Sequence, residues 1–486
     1  MNRLLTSTLA LLTILTPFLS AAGETPNIVI ILADDLGYGD LSCFGATQIS
    51  TPNIDLLTDE GMTFTDAHAA ASLCSPSRYG LLTGRSPWRL GMKGNGYRLD
   101  RNRLNLASML RTKNYQAAAI GKWHLGYSKN WNQVPIEGPL DHGFTYHFGV
   151  PSNHNDSTRA FIENDDIVGR KANEDFRIVK GQKFPDGLAS PRVEDLVDTT
   201  LTERAIEFIK RSADEPFLLY FTPCCPHTHV TPRVDFRGTS EAGLLGDYVQ
   251  ELDSHVGKVL DTLDELGLRD NTLVIFTSDN GGSPKDFKGT NHVELNLAST
   301  AGDILNKYKT AKIDARKMGH LTNGKYKDGK GYPWEGGHRI PLIVRWPGEI
   351  DPGSTSDSLV MLTDIFASAA EIVGAELPND AAEDSFSMLS VLRGQEPGHG
   401  REMIFVQGDS KDNAIAVCSG RWKLIDWKRG NEKDGKPEQR YALFDLESDP
   451  GETNDVSASY PQKVQSMRSA LASTRESGRT RPYAEP

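Results

Sequence analysis

The chain has 486 residues, of which 38% are hydrophobic and 24% charged, and a formal net charge of -12. That composition suits a soluble globular protein with one large core and room for a smaller second unit, and it excludes a disordered chain. The acidic balance argues against general binding to nucleic acid or to anionic membranes, so an anionic substrate must be drawn by a local basic site.

At the start, Arg3 precedes an apolar stretch that ends in Ser20, Ala21 and Ala22, the layout of a signal peptide over residues 1–22. A retained anchor is the alternative. The stretch falls short of the ~20 apolar residues that span a bilayer, threonines and Pro17 interrupt it, and no later segment is long and apolar enough. The expectation is an exported protein, periplasmic or secreted, with no stable membrane insertion.

Short apolar runs then alternate with helical patterns, which predicts an α/β protein on a large, mostly parallel sheet covered by helices. In chain order, strands are expected at Asn27–Leu32, Gln116–Ile120, Phe217–Phe221 and Thr272–Phe276. Helices are expected at Asp55–Glu60 closed by Gly61, Leu104–Lys113, Asp195–Arg211 and Leu244–Leu266. In the last of these, Leu252, Val256, Val259, Leu260 and Leu263 recur at helical spacing. A polar region over Ser283–Thr322 reads as a surface insertion. After about Gly400, short strand-like segments between polar turns predict a C-terminal subdomain of antiparallel sheet plus helix. The division is therefore residues 23–398 for a catalytic domain and 399–486 for the subdomain.

Polar residues follow the predicted strands in a consistent way. Asp34 and Asp35 follow the first, Lys122 and His124 the second, His227 the third, and Asp279 with Asn280 the fourth. In open α/β sheets the ligand crevice lies beyond the carboxyl ends of the strands, so these groups can converge. Any one Asp at such a place serves equally well as a cap or turn residue; two acidic pairs on separate strand ends form a better case for a metal. Their oxygen donors suit calcium, with magnesium second, far better than zinc.

Cys74 lies in L-C-S-P-S-R-Y-G-L-L-T-G-R. Pro76 suits a first helical turn, which puts Cys74 beside a helix N-terminus where negative charge is favoured, and Arg78 adds a fixed cation for an oxyanion or sulfate oxygen. The chain's five cysteines are Cys43, Cys74, Cys224, Cys225 and Cys418. They are too few for a disulfide scaffold; Cys43 with Cys418, or Cys224 with Cys225, can pair, and buried free thiols are the alternative.

The C-S-P-S-R-Y-G-L-L-T-G-R segment resembles the signature of the type I sulfatase family, of alkaline-phosphatase-like fold. Four further blocks resemble that family in order: residues 33–40 (ADDLGYGD), 121–126 (GKWHLG), 278–282 (SDNGG) and 329–341 (GKGYPWEGGHRIP). The late segments 443–446 and 449–452 are also similar, so the resemblance runs from about Asn27 to Asp455. It implies that Cys74 is oxidised by a separate maturation enzyme to formylglycine, whose hydrate carries two hydroxyls on one carbon. One attacks sulfur and displaces the alcohol; the other then drives release of sulfate. It implies calcium held by Asp34, Asp35, modified Cys74, Asp279 and Asn280, with Arg78 and Lys122 balancing charge and Lys122 reaching the sulfate. His124 is the candidate base that releases sulfate. His227 and Lys330 contact the sulfate on its leaving-group side, and either can protonate the departing oxygen.

The segment departs from the family pattern at His229, where many members carry proline, and His229 is read as structural, as is His338. Export and the resemblance together imply a sulfated carbohydrate substrate, a glycosaminoglycan or an algal or mucin-type glycan. The segments expected to shape its pocket are Gly149–Asn164, with Asn155, and the insertion, with His292. The alternatives are a phosphonate or phosphate ester hydrolase of the same superfamily and a non-catalytic glycan-binding protein.

Overall fold

A computed structural model describes residues 25–127, 134–156, 158–170, 192–283, 315–395, 400–408, 413–433 and 436–483. At its centre lies a sheet of ten strands. The core of that sheet is β1 (Asn27–Ala33), flanked on one side by β8 (Phe217–Thr222), β4 (Gln116–Lys122) and β5 (Tyr146–Val150), and on the other by β9 (Thr272–Ser278), all parallel. Beyond β9, β10 (Leu342–Arg345) runs antiparallel and pairs with β2 (Met62–Phe64), while β6 (Ile162–Glu163) runs antiparallel to β5. The sheet is therefore mixed, with a parallel centre and antiparallel flanks.

The four predicted strands are present, each extended one or two residues toward the site. Every residue of β1, β8 and β9 is buried, because helices cover both faces; such strands read as unbroken apolar runs instead of alternating ones. Side-chain alternation divides the core into two layers. Ile28, Ile30 and Leu32 pack with α2 (Cys74–Thr83), α3 (Leu106–Arg111) and the helix Asp364–Ile372. Val29, Ile31 and Ala33 pack with α1 (Pro52–Glu60), α4 (Val197–Arg211) and α5 (Gly243–Glu265). Each fully buried aliphatic side chain in these layers contributes roughly 1.5–3 kcal/mol, so the sheet holds its strand ends rigidly.

Three helix boundaries differ from expectation for local reasons. α1 starts at Pro52, whose fixed φ suits a first turn. α3 starts only after Asn105, which accepts a hydrogen bond from the Ser108 amide in a reciprocal cap, leaving Leu104 outside. Glu194–Leu196 forms a single tight turn before α4.

The C-terminal stretch forms a four-stranded antiparallel sheet from Ile404–Gln407, Ile415–Ser419, Trp422–Lys433 and Lys436–Asp445, followed by the helix Pro461–Ser477. Val464, Met467 and Leu471 of that helix pack on the sheet and on Trp88 of the larger unit. Buried Lys423 joins this sheet to the rest, its ammonium 3.0 Å from Glu335 and 2.8 Å from Glu452.

Candidate active site

The carboxyl ends of β1, β4, β8 and β9 open on one crevice, and α2 points its N-terminus into it. Asp34 and Asp35 leave β1 through a left-handed residue, Asp35 at φ 64°. Its amide bonds to Asp279 Oδ1 at 3.3 Å, and the Leu36 amide bonds to Ser278 Oγ at 3.1 Å. The β1 and β9 exits are thereby tied together. Gly121 lets β4 deliver Lys122, since at φ 120° an added Cβ would lie 2.0 Å from the Thr222 carbonyl of β8. Cys74 is the first residue of α2, with Leu73 extended before it, and Ser77 Oγ holds the turn by donating to the Ala71 carbonyl at 2.7 Å.

Three cations meet three carboxylates here almost one to one. Lys122 Nζ lies 2.7 and 2.9 Å from the two oxygens of Asp34. The Arg78 guanidinium approaches Asp279 Oδ2 at 2.9 Å through Nε and 2.7 Å through a terminal nitrogen, and donates to the Lys122 carbonyl at 2.8 Å. Lys330 Nζ lies 2.7 Å from Asp35 Oδ1 and 3.1 Å from Cys74 Sγ. That sulfur is also 3.4 Å from Asp34 Oδ1 and 3.7 Å from Asp35 Oδ1, so the thiol sits where positive and negative groups meet.

Burial and these pairings set the protonation states. Burial pushes the Cys74 thiol up, and nearby Asp279 adds to the effect. Asp279 is pushed up to about 6 by burial despite the Arg78 guanidinium beside it. Burial pulls Lys330 and Lys122 down, but Asp35 and Asp34 respectively outweigh it and leave both raised. His124 and His227 are held well below the ordinary imidazole value, first by burial and then by neighbouring cations, Lys122 for the former and Lys330 for the latter.

The donors fit a hard divalent cation. Ligand atoms of Asp34, Asp35, Cys74 and His227 all lie within 4.8 Å of one another. Asn280 donates its amide to Asp35 Oδ1 at 2.9 Å and to the Gly281 carbonyl at 2.9 Å, while its Oδ1 is buried with no hydrogen-bond partner. A buried acceptor left unsatisfied costs about 1–3 kcal/mol, and a cation relieves that cost. A second cluster, His68, Glu335 and His338, has a different character. Lys423 at 3.0 Å and Arg339 at 2.7 Å already neutralise Glu335, and the His68 and His338 Nδ1 atoms are 2.9 Å apart. It ties structural segments together, as expected of His338.

Among the expected residues, Asp34, Asp35, Cys74, Arg78, Lys122, His227, Asp279, Asn280 and Lys330 form one connected set. His124 adjoins it electrostatically from a left-handed position at φ 57°, with Nδ1 buried and unbonded. Asn155 sits beside it but places its amide 3.3 Å from the Thr228 carbonyl. His229 turns its ring to Glu194 at 3.4 Å, in keeping with a structural part. His292 lies outside the described residues. The five thiols are free, so neither suggested pairing forms.

Sequence reasoning placed His154 and Asp156 only within the pocket-shaping segment Gly149–Asn164, gave Asp40 no role of its own within the 33–40 block, and did not pair Asp156 with Arg192. Asp40 is buried and accepts from the Gly37 amide at 2.8 Å, from His320 at 2.7 Å and from Thr322 Oγ1 at 2.6 Å, locking the metal-side turn. Its place in a Gly-rich turn five residues beyond Asp35 was the available signal.

The sulfatase family model matches residues 26–375, most of the chain and all of this site's residues. The chain belongs to the sulfatase family. A model for the C-terminal part of N-sulphoglucosamine sulphohydrolase matches residues 326–477 of the sulfatase. It is 33% identical to an N-acetylgalactosamine-6-O-sulfatase of Bacteroides thetaiotaomicron, with 93% of each chain covered. It is 33% identical to human arylsulfatase H over 78% of this chain and 74% of the relative. A solved structure from work on glycosaminoglycan metabolism by Bacteroides thetaiotaomicron superposes with a TM-score of 0.80 at 33% identity, covering 93% of this chain and 100% of the other. A phosphonate monoester hydrolase of Agrobacterium radiobacter shares the fold, with a TM-score of 0.63 at 19% identity over 93% and 96% of the two chains. The sulfatase is thus a sulfuric ester hydrolase of alkaline-phosphatase-like fold, and no helix among its described residues is long and apolar enough to cross a membrane.

Proposed function

We propose that this sulfatase is exported and releases inorganic sulfate from a sulfated carbohydrate, using formylglycine made from Cys74 by a separate maturation enzyme. The observation that carries this reading is the position of Cys74 Sγ. It stands at a helix N-terminus, within 3.7 Å of both Asp34 and Asp35 and 3.1 Å from Lys330 Nζ, where a buried thiol with a raised pKa is a poor nucleophile. That environment suits a modified side chain better than a reactive cysteine.

Asp34, Asp35, residue 74, Asp279 and Asn280 would hold calcium, in preference to magnesium. Bound there, calcium would make a hydroxyl of the formylglycine hydrate more acidic, and that hydroxyl would be the attacking oxygen. The chain's own groups do the rest. Arg78 and Lys122 carry fixed positive charge beside that oxygen and the sulfate. His124, neutral through its lowered pKa, is able to accept a proton as sulfate leaves. Lys330 and His227 face the departing alcohol, where a proton must be delivered. Residues 23–398 form the catalytic domain in this reading, and 399–486 a subdomain that braces it through Lys423.

The substrate class rests on relatives named for N-acetylgalactosamine 6-sulfate, and on export. A panel of sulfated mono- and oligosaccharides offered to the matured enzyme tests it, with faster release from 6-O-sulfated N-acetylhexosamines expected. Faster turnover of an aryl phosphonate than of an aryl sulfate would overturn it. Mass spectrometry of the peptide holding residue 74 from the natively exported protein tests the modification, since conversion of thiol to aldehyde removes sulfur; unmodified cysteine there refutes it.

A further inference from the structure

His227 does not stand alone at the crevice wall. Its Nδ1 lies 2.5 Å from the carbonyl of Thr228, and a carbonyl only accepts, so Nδ1 carries a proton and Nε2 is the ring nitrogen left to face the site. Nε2 is the atom on the site side, 3.7 Å from Asp35 Oδ2. The same Thr228 carbonyl accepts from Asn155 Nδ2 at 3.3 Å, and the next carbonyl, of His229, pairs with His154 Nε2 at 2.9 Å. His154 is fully buried, and its ring stands edge-on to that of His227 with centroids 6.4 Å apart.

The turn bearing these two residues is itself locked. Asp156 Oδ2 accepts from the Ser152 and Asn153 amides at 2.9 and 3.3 Å, and Asp156 Oδ1 meets buried Arg192 at 2.6 Å. Two consecutive carbonyls of the 228–229 main chain are thus clamped from a rigid loop more than 70 residues away in sequence.

We propose that Asn155 and His154 are positioning residues for His227, fixing the 228–229 main chain so that Nδ1–H stays on Thr228 while Nε2, carrying the second proton of the imidazolium, hands that proton to the leaving-group oxygen and leaves the Nδ1–H imidazole behind. The assignment rests on the reading of His227 given above. In this reading Asn155 acts through the main chain instead of on the sugar, with its Nδ2 donating to the Thr228 carbonyl. A misoriented acid group costs turnover where the leaving group needs a proton and little where it does not.

The test uses matured enzyme, a 6-O-sulfated N-acetylhexosamine and 4-nitrophenyl sulfate, whose phenolate leaves without protonation. In Asn155→Ala, kcat on the sugar sulfate falls about tenfold to hundredfold with KM little changed, while kcat on the aryl sulfate falls less than about threefold. In a His227→Ala background the same substitution has no further effect on the sugar. A raised KM with unchanged kcat would instead make Asn155 a substrate contact and overturn the proposal, as would full additivity with His227→Ala. If His227→Ala alone spares the sugar reaction, the catalytic reading of His227 falls, and positioning is then decided by nitrogen chemical shifts of the labelled imidazole. Those shifts report the Nδ1-protonated form in the parent and mixed forms in Asn155→Ala; an unchanged tautomer sinks the proposal.

Discussion

Removing the Arg78 guanidinium, as in Arg78→Met, leaves Asp279 buried and without its main counter-charge. Both side chains are fully buried, the contacts are 2.9 and 2.7 Å, and one further Arg78 bond holds the Lys122 carbonyl at 2.8 Å. Breaking one partner of such a pair costs about 3–5 kcal/mol, whereas replacing both by neutral groups of similar size is often nearly free. Arg78→Met is therefore expected to lose about 3–5 kcal/mol in urea unfolding without calcium. The double variant Arg78→Met/Asp279→Asn should recover most of that loss. Calcium should stabilise the single variant more than the parent, because the ion supplies charge that Asp279 has lost. Turnover should fall about 10²–10³-fold in the single variant, the usual effect of losing one donor to developing negative charge. Additive losses in the double variant, or an Arg78→Met protein within about 1 kcal/mol of the parent, would refute the pairing as the main energetic feature of the site.

Lys330→Ala is expected to cut kcat on a sugar sulfate by about 10²–10³-fold and to lower stability without calcium, because buried Asp35 loses the ammonium 2.7 Å away; a kcat loss below about threefold removes Lys330 from the chemistry. Chelation of the metal should abolish turnover and lower the melting temperature, and calcium should restore both at lower concentration than magnesium. Restoration by zinc alone contradicts the oxygen-donor assignment. The pH dependence of stability has a testable part at His147, which is not one of the site residues. Burial lowers His147 to about 4, although its bond to the Ala119 carbonyl partly offsets this, whereas an unfolded histidine titrates near about 6.5. As pH falls between those values the unfolded chain takes the proton first, so the contribution is complete above about 6.5 and lost toward about 4, roughly 3 kcal/mol in all. His147→Gln should flatten that limb of the stability curve measured by urea unfolding; an identical limb in both proteins rules the assignment out.

The strands were legible because both faces of β1, β8 and β9 are covered, which demands unbroken apolar runs and leaves the first polar residues to mark the strand ends. Asp34, Lys122, His227 and Asp279 could be found that way without any contact being known. The start of α3 was less legible, since the choice between Leu104 and Leu106 depends on whether Asn105 caps, and local sequence allows both. Least legible were the groups whose partners are remote carbonyls or carboxylates. Asn155 in a loop of Asn, Asp and Ser reads equally well as a turn former or a sugar ligand, and only folding brings Thr228 O to its amide. Asp156 and Arg192 likewise gain meaning only from folding, which joins two residues 36 apart in the chain.

What folding adds to the sequence at the site is a pairing rule. The chain as a whole carries a charge of -12, which would repel a sulfate ester at long range, and its motifs scatter carboxylates and cations without saying which meets which. In the crevice, Asp34 faces Lys122, Asp279 faces Arg78, and Asp35 faces Lys330. Buried charge is tolerable only when compensated, and these pairs leave the metal-free crevice close to neutral. A divalent cation bound among the same carboxylates therefore makes the local charge positive and frees the ammonium and guanidinium groups to face an anion. Metal binding and attraction of a sulfate ester are coupled by that charge balance, so affinity for inorganic sulfate should rise with calcium occupancy, and calorimetric titrations with and without the metal would measure the coupling directly.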